Sequence, residues 1–500
     1  MALLTTTHEP TADVSPAAGS PDGSSADGVS LVRWLGVIWF AIAALLGVKR
    51  LGDNSFLTHL ATGRLILGGH APHVDPYSFT AGGRPWVVQS WLASVLDASV
   101  ERIGGLGVLR WMTGVLMGLM VALIWRLTAR GGDLMIRVVV TAMATGAGIF
   151  WWGERPQMLA FVLMALMILV TVERRSMWWL APIFAVWVNV HASWPVGLAL
   201  LGAIGFCETL ARRTPGTPGL RRDLLDGTVS PVVVATCASV AGALVSPYGW
   251  SLLRFPVDMA QRSDTLRYIV EWQSPKLFSV DTAALGVLLV LLAVGVWRRG
   301  QRSRLLLGGA VLAMAAVSAR NVPVGALALV PFVAAGLDGW GTLGRPAPLP
   351  RPTLVVSAVV VLALSGGIVS VTTPHVNLDP YPAQLVDQLV QRHWVATPGV
   401  QVIAPDYVGN FLEARFGATA NVFIDDRAEV YPLSVIEDYV GLLKGRSDWR
   451  ATLEHYGADI VIWPTKEKLS AALRAEPSWH RIGRANGFEA WCNSDSLIGC

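Results

Sequence analysis

The chain has 500 residues, of which 53% are hydrophobic and only 15% are charged, with a formal net charge of +4. This composition excludes an ordinary soluble enzyme, because so much apolar surface exceeds what a water-surrounded core can hold. The small charge, spread over many loops, argues against nucleic-acid binding. The 21 Trp residues suit a protein with two long water–lipid boundaries, where indole rings prefer to lie.

Residues 1–30 are rich in Ser, Ala, Pro, Asp and Gly without apolar periodicity, which predicts a disordered cytoplasmic tail. Between residues 31 and 372, about eleven apolar runs of roughly 15–21 residues predict a polytopic α-helical membrane domain. The predicted spans are about 31–50, 106–125, 135–150, 157–172, 177–190, 194–210, 230–246, 282–297, 304–318, 321–338 and 352–372.

The loops between these runs alternate in charge. One set carries clustered arginines, and the other has few charges but is rich in Trp, His and Asn. Since Lys and Arg collect in cytoplasmic loops, the arginine-rich set is predicted to face the cytoplasm and the other set the outside. The arginine-rich set contains Arg126, Arg130, Arg174, Arg175, Arg212, Arg213, Arg221, Arg222, Arg298, Arg299, Arg302, Arg304, Arg345 and Arg351.

Segment 89–104 is moderately apolar but contains Asp97, Glu101 and Arg102. As a crossing it would invert every later loop and place the arginine-rich set outside. As an interfacial helix it preserves the charge pattern. We therefore predict an interfacial helix within an outer first loop over residues 51–105.

The character of the chain changes near residue 375, where short apolar runs alternate with amphipathic ones. This alternation predicts an extracytoplasmic α/β domain over residues 375–500. The predicted strands are 400–405, 421–425 and 459–464, and the predicted helices include 384–393, 434–444, 449–457 and 468–475. Because the domain is predicted to lie outside, a disulfide between Cys492 and Cys500 is permitted.

The first outer loop carries a candidate catalytic residue, Asp53, just beyond the first span. A short interfacial helix over residues 54–67, which includes His59, follows it, and then comes a turn-rich stretch that includes Asp75. Asp53 is equally suited to be the N-cap of the 54–67 helix, because a short carboxylate can accept hydrogen bonds from the first free amides.

These features together resemble the GT-C glycosyltransferase superfamily, and most closely its bacterial mannosyltransferase and lipopolysaccharide glycosyltransferase types. The resemblance covers residues 31–340 in architecture. It implies an enzyme of the bacterial plasma membrane that takes a sugar from a polyprenyl phosphate on the outer face, with Asp53 as the catalytic base. One departure is Asn54, where many members carry a second carboxylate, so a metal or second acid role is less expected there.

Sugar transfer from a lipid phosphate also needs cations that hold the leaving group as its charge grows. Arginine suits this task because its planar fork binds two oxygens and stays charged. Two outer loops supply candidates: Arg155, with Glu154 and Gln157 beside it, and Arg320, with Asn321 next to it. We expect both arginines to bind donor phosphate, the alternative being contact with lipid headgroups.

Further outer residues are candidates for substrate contact, and these include His59, Asp75, Glu154, Gln157 and Asn321 from the segments above. His191 and Asn189 lie between the fifth and sixth spans, although a lone interfacial His is often structural. Glu271 and Trp272 lie in the loop over 247–281, where a carboxylate and an aromatic face could bind a sugar or could end a helix on the membrane surface.

In the outer domain, Asp425, Asp426 and Arg427 follow a predicted strand, at the position where ligands of α/β sheets gather. They are expected to help receive the acceptor if this domain docks above the first loop. The alternative is that Asp426 caps a turn and pairs with Arg427.

The sequence therefore predicts a glycosyltransferase that moves a sugar from a polyprenyl phosphate to a cell-envelope glycan, lipid or protein. One alternative is a transporter or flippase of a lipid-linked intermediate, which should show internal repeats and polar groups on both faces. Another is a non-catalytic envelope-assembly protein. No cofactor is expected, although a divalent cation between Asp53 and Asp75 is a further alternative.

Overall fold

The computed structural model describes residues 24–213, 218–341, 346–347, 349–496 and 499. Most of the predicted tail, Arg345 and Cys500 lie outside the described residues. Cys492 is disulfide-bonded.

The first three quarters of the chain consist of helices, and each predicted apolar run lies on one of them. The helices are α1 Ser24–Gly47, α2 Asn54–Leu67, α3 Trp91–Leu127, α4 Leu134–Gly148, α5 Pro156–Val172, α6 Leu180–Val190, α7 Trp194–Arg212, α8 Leu220–Leu224, α9 Ser230–Leu244, α10 Trp250–Ala260, α11 Ser263–Leu266, α12 Val280–Arg299, α13 Arg304–Val317, α14 Asn321–Gly336 and α15 Arg351–Val371. Residues 24–30 belong to α1, so that part of the predicted tail was wrong; the stretch contains no proline, and the helix continues outward from the apolar run.

Five helical segments within the described chain are long and apolar enough to cross a membrane, judged by length and composition. They are Trp91–Arg130, Trp194–Arg212, Leu220–Leu244, Val280–Arg299 and Arg351–Val371. Of the other predicted spans, the first lies on α1, whose apolar part is Trp34–Gly47, and the rest fold as apolar helices of 10–17 residues. The number of eleven crossings remains a prediction.

Helix α3 contains the break that the sequence placed between an interfacial segment and the second span. Gly105 has φ 70° and ψ −174°, which interrupts the helix and redirects the chain. Before the break, α3 packs closely on α2, since a Cβ on Gly63 would lie 1.9 Å from the Ser94 carbonyl oxygen. This break lies at the predicted boundary near residue 105, while the outer first loop and the interfacial placement of 91–104 stay predictions.

The C-terminal region contains a small mixed sheet covered by short helices. Its strands are β1 Val402–Ile403, β2 Ile460–Pro464, β3 Trp479–Ala485 and β4 Phe488–Asn493, in the order β1-β2-β4-β3, with β1 and β2 parallel and the other pairs antiparallel. Its helices are α16 Ala383–Gln391, α17 Asp406–Phe416, α18 Leu433–Lys444, α19 Trp449–His455 and α20 Lys468–Arg474.

The predicted strand over residues 421–425 was wrong. Val422 makes only isolated bridges, to Ser78 and to Val402, because this run lies between the first loop and β1 instead of pairing along a neighbouring strand. The sequence analysis also missed the β3–β4 hairpin. Its turn is Asn486-Gly487, both with positive φ, which is the pair that two-residue hairpin turns favour.

The first loop and the C-terminal region pack directly on each other. The Val422 amide donates to the Tyr77 carbonyl at 2.9 Å, and the Phe79 amide donates to the Val422 carbonyl at 3.1 Å. Apolar side chains of both segments share their buried clusters. The C-terminal region therefore docks on the loop that follows Asp53.

Candidate active site

Asp53 is held at the start of α2 through both carboxylate oxygens. Its Oδ1 accepts a hydrogen bond from the Ser55 amide at 3.0 Å, so Asp53 is the N-cap of α2. Its Oδ2 accepts a hydrogen bond from Arg155 Nε at 2.5 Å. Burial raises the pKa of the Asp53 carboxyl, and the Arg155 guanidinium opposes this rise. Asp53 thus caps a helix and contacts a cation at the same time.

One carboxylate, Glu271, joins Arg155 to Arg320. Arg155 Nη1 lies 2.5 Å from Glu271 Oε1, and Arg320 Nε lies 2.7 Å from Glu271 Oε2. Burial alone would raise the pKa of the Glu271 carboxyl, but the two arginines outweigh this effect and lower that pKa. Asp53, Arg155, Glu271 and Arg320 form a continuous series of contacts, which we call the ion-pair chain.

A cavity of about 750 Å³ opens beside the ion-pair chain. Glu154 lies in its wall and fixes the Asp53 loop, because it accepts hydrogen bonds from the Gly52 and Asp53 amides, the latter at 2.7 Å. The cavity wall therefore presents four carboxylates together with three cationic side chains. Its polar wall contains Lys49, Arg50, Asp53, Glu154, Arg155, Gln157, Glu271, Ser279, Asp281 and Asn377.

The loop over 247–281 is folded so that Glu271 and Trp272 meet Arg320. Residues 270–272 form one 3₁₀ turn, so they do not end a longer surface helix. The Ala319 amide donates to the Gln273 carbonyl at 2.9 Å. The Arg320 guanidinium lies 5.4 Å from the Trp272 ring centre, a cation–π distance. Trp272 therefore packs against Arg320, which is a candidate for phosphate binding. The sugar contact expected for Trp272 stays a prediction.

The two candidate histidines lie close to the arginines of the ion-pair chain. His59 Nδ1 lies 3.1 Å from Ser94 Oγ on α3, and His191 Nδ1 accepts from a backbone amide two residues further on. Burial, helped by Arg155, lowers the pKa of His59 to about 4. Burial, helped by Arg320, lowers the pKa of His191 to about 3. Both rings are therefore neutral at neutral pH.

The candidate asparagines join helices. Asn189 accepts a hydrogen bond from Trp91 Nε1 at 2.8 Å, and Asn321 donates to the Met314 carbonyl at 2.9 Å. Neither side chain belongs to the cavity wall described above. Both residues therefore contribute to helix packing, and the substrate contact expected from the sequence stays a prediction.

Asp75, Asp425 and Arg427 lie in a group without solvent access, which with Glu413 we call the sealed cluster. Arg427 Nη2 lies 2.7 Å from Asp75 and 3.7 Å from Glu413, and the guanidinium also binds both Asp425 oxygens. The side chains of the three acids are 0% exposed and that of Arg427 is 6% exposed. This burial does not fit the acceptor role expected for Asp425 and Arg427, or the substrate contact expected for Asp75. The packing of the C-terminal region on the first loop covers all three side chains.

Asp426 does not pair with Arg427, contrary to the alternative from the sequence. Its Oδ2 accepts a hydrogen bond from the Ser55 hydroxyl at the start of α2. Withdrawal from solvent, together with the nearby Asp425 charge, raises the pKa of Asp426 to about 7. Asp426 therefore connects the C-terminal region to the segment that begins at Asp53.

A cation between Asp53 and Asp75 finds no support in this arrangement, because the two carboxylates belong to the ion-pair chain and the sealed cluster respectively. Within the described part of the chain, no group of three or more His, Cys, Asp and Glu side chains is placed to hold a metal ion.

The sequence analysis missed several residues that complete these networks. Glu413 accepts a hydrogen bond from Thr58 at 2.7 Å, and Ser55 binds Asp426. These pairs are separated by more than 350 residues in sequence, so no local pattern points to them. The excess of hydrogen-bonding residues in 54–62 was the only signal available.

No protein-family model matches this chain, and no curated protein sequence matches it. Its fold is similar to that of the archaeal oligosaccharyltransferase AglB from Archaeoglobus fulgidus, solved with an inhibitory peptide and a dolichol-phosphate. The TM-score is 0.53 at 12% identity, over 92% of this chain and 74% of that one. An Archaeoglobus fulgidus oligosaccharyltransferase in the apo form gives a TM-score of 0.47 at 12% identity, over 93% of this chain and 75% of that one.

AglB is a GT-C superfamily glycosyltransferase, so the similarity agrees, at the level of the fold alone, with the resemblance stated from the sequence. Together with the apolar helices, this fold is that of a multi-pass membrane protein.

Proposed function

We propose that this protein is a glycosyltransferase that moves a sugar from a polyprenyl-phosphate donor to a cell-envelope acceptor on the outer face of the bacterial plasma membrane. The observation that carries the proposal is the ion-pair chain beside a cavity of about 750 Å³. The GT-C fold supports it, because AglB was solved with a dolichol-phosphate, a lipid of the same chemical class as the proposed donor.

Asp53 is the proposed general base. The acceptor oxygen attacks the anomeric carbon of the sugar and gives its proton to Asp53, while the bond between that carbon and the phosphate oxygen breaks. The leaving phosphate keeps the bonding electron pair. A carboxylate with a raised pKa accepts a proton more readily than an ordinary aspartate, which suits this role.

Arg155 and Arg320 are the proposed binding groups for the leaving phosphate. Both now bind Glu271, an anion with two oxygens, in the way that a phosphate could be bound. We infer that the donor phosphate replaces Glu271 on these arginines. Arg155 and Arg320 are the N-cap residues of α5 and α14, and helix N-termini also favour an anion, so both features stabilise the growing phosphate charge.

Donor binding and base strength are coupled in this scheme through Arg155. Arg155 lowers the proton affinity of Asp53 as long as it binds that carboxylate. When donor phosphate draws Arg155 away, the counter-charge of Asp53 is lost and the pKa of Asp53 rises further. Asp53 is then a stronger base only when a donor is present.

The function is tested in a deletion strain by extraction of its lipids and glycans. We expect one polyprenyl-phosphate sugar to accumulate and one envelope glycan to be lost, and the wild-type gene to reverse both changes. Asp53→Asn should not reverse them, whereas Asp258→Asn, which changes an exposed carboxylate paired with Arg254, should. Unchanged polyprenyl sugars in the deletion strain would contradict the proposed reaction.

A further inference from the structure

A second polar cavity lies at the opposite end of the helices from Asp53. Helix α5 begins beside Arg155 and ends at Val172, and its 17 residues span about 25 Å. The cavity, with a volume of about 540 Å³, lies against the end of α5, the end of α7 and the start of α9. The distance separates it from the proposed sugar-transfer site, and the proposed function assigns it no role.

Arginines dominate this second cavity. Its wall contains Arg174, Arg175, Arg212 and Arg213 together with Glu208, Asp223 and Asp226. The ion-pair partners of these wall residues, among the described residues, add three arginines and one carboxylate: Arg130, Arg222, Arg304 and Glu173. The wall and its partners together contain seven arginines and four carboxylates. Three positive charges are therefore left over, and such an excess attracts an anion.

The arginines share one buried carboxylate. Glu208 binds Arg212 at 2.6 Å, Arg304 at 3.0 Å and Arg130 at 3.1 Å. Its two oxygens cannot satisfy three guanidinium groups, and buried Arg130 Nη1 and Arg304 Nε have no hydrogen-bond partner. Arg130 and Arg304 are not in the cavity wall, but both bind Glu208, which is, so unmatched positive charge lies next to the cavity.

Arg174 has a backbone conformation that favours glycine. It follows the end of α5 with φ 54°, and the next amide donates back to the Val170 carbonyl, as in a helix-ending turn where glycine is usual. An arginine here adopts a conformation that costs free energy relative to glycine. Arg174 is one of the residues in the wall of the cavity.

The other side of the cavity is apolar, with Val170, Met177, Leu180 and Pro231 in its wall. An amphiphilic ligand could place its acyl chain against these residues and its charged group among the arginines. The loops that carry these arginines belong to the set predicted to face the cytoplasm, where anionic lipid headgroups meet such basic pockets.

We propose that this second cavity binds the phosphate group of an anionic ligand. The phosphate could come from a phospholipid headgroup or from a soluble phosphate, and the two sources share the same chemistry at the arginines. This site is separate from the sugar-transfer cavity, so phosphate binding there does not depend on the proposed reaction.

The experiment uses the full chain, purified and placed in nanodiscs of phosphatidylglycerol or of phosphatidylcholine. Native mass spectrometry counts the retained lipids, and thermal unfolding in detergent with added inorganic phosphate tests the soluble source. The variants are Arg174→Gln, which removes no described ion pair, and the double variant Arg174→Gln/Arg212→Gln. Arg302→Gln is the matched control, because Arg302 is exposed in another loop of the arginine-rich set.

We expect the wild type and Arg302→Gln to retain phosphatidylglycerol, and retention to fall about fivefold for each arginine lost from the cavity. If inorganic phosphate instead raises the unfolding temperature, and Arg174→Gln abolishes this effect, the same site takes a soluble phosphate. Equal lipid retention and equal phosphate response in the wild type and both cavity variants would overturn the proposal.

Discussion

The molecule contains two networks of carboxylates and arginines that differ in their access to solvent. In the ion-pair chain, the four side chains remain between 22% and 31% exposed and line or adjoin a cavity. In the sealed cluster, Arg427 is 6% exposed and its three carboxylates are 0% exposed. Partners can therefore be exchanged in the first network but not in the second.

The two networks also differ in their ratio of carboxylates to arginines. The ion-pair chain has two carboxylates and two arginines, so its charges balance. The sealed cluster has three carboxylates around one arginine. Burial, together with the adjacent Asp425 charge, raises the pKa of Glu413 well above its usual range, so Glu413 keeps its proton and relieves this excess. Similar residues thus serve substrate exchange in one place and rigid docking in the other.

The largest effect should come from Asp53→Asn. Asparagine is as good an N-cap as aspartate, so α2 should keep its start, but the amide cannot accept the acceptor proton. We expect transfer to fall by about 10²–10⁴-fold, measured with purified enzyme and a synthetic polyprenyl-phosphate sugar. Asp258→Asn is the control. Full transfer by Asp53→Asn would remove Asp53 from the mechanism.

The next largest effect should come from Arg427→Gln, which leaves buried carboxylates without their cation. We expect the free energy of unfolding to fall by about 3–5 kcal/mol. Arg155→Gln is the matched variant, and it should change this free energy by about 1 kcal/mol or less, because its ion pairs are partly exposed. Chemical unfolding of both variants in detergent measures the difference. Equal destabilisation by Arg427→Gln and Arg155→Gln would contradict the difference in burial between the two networks.

A smaller effect should come from Asp426→Asn and should depend on pH. Because the folded pKa of Asp426 is raised to about 7, the folded state holds this proton over a range where the unfolded state has released it. This contribution is present at low pH and is lost as the pH rises from about 4 to about 7. Relative to wild type, the variant should therefore gain about 2–3 kcal/mol between pH 5 and pH 8. A stability difference that does not change with pH would contradict the assignment.

Much of the transmembrane part could be predicted, because long apolar runs bounded by charged loops have few other structures available. The same charge alternation placed Asp53, Arg155 and Arg320 on one side before their contacts were known. Glu271 was recognised as a candidate for sugar binding, but its bridge between the arginines depends on how the loop over 247–281 folds back. No sequence periodicity contains that information.

The C-terminal region was predicted less well, for two physical reasons. A short apolar run such as 421–425 has the same composition whether it is a strand or a buried connection, and tertiary contacts decide between them. The Asn486-Gly487 turn, by contrast, was visible in the sequence and was overlooked. The contacts of Asp425, Asp426 and Arg427 depend on docking across the chain, which a linear pattern does not encode.

The central claim is that Asp53 acts in chemistry while Arg155 and Arg320 hold the donor phosphate. Equilibrium binding of a fluorescent polyprenyl phosphate to purified wild type, Asp53→Asn and Arg155→Gln/Arg320→Gln separates these roles most directly. We expect Asp53→Asn to bind as tightly as the wild type or more tightly, because Arg155 loses a competing anion, and the double arginine variant to bind at least about tenfold more weakly. Unchanged binding by the arginine variant, or loss of binding by Asp53→Asn alone, would contradict the account.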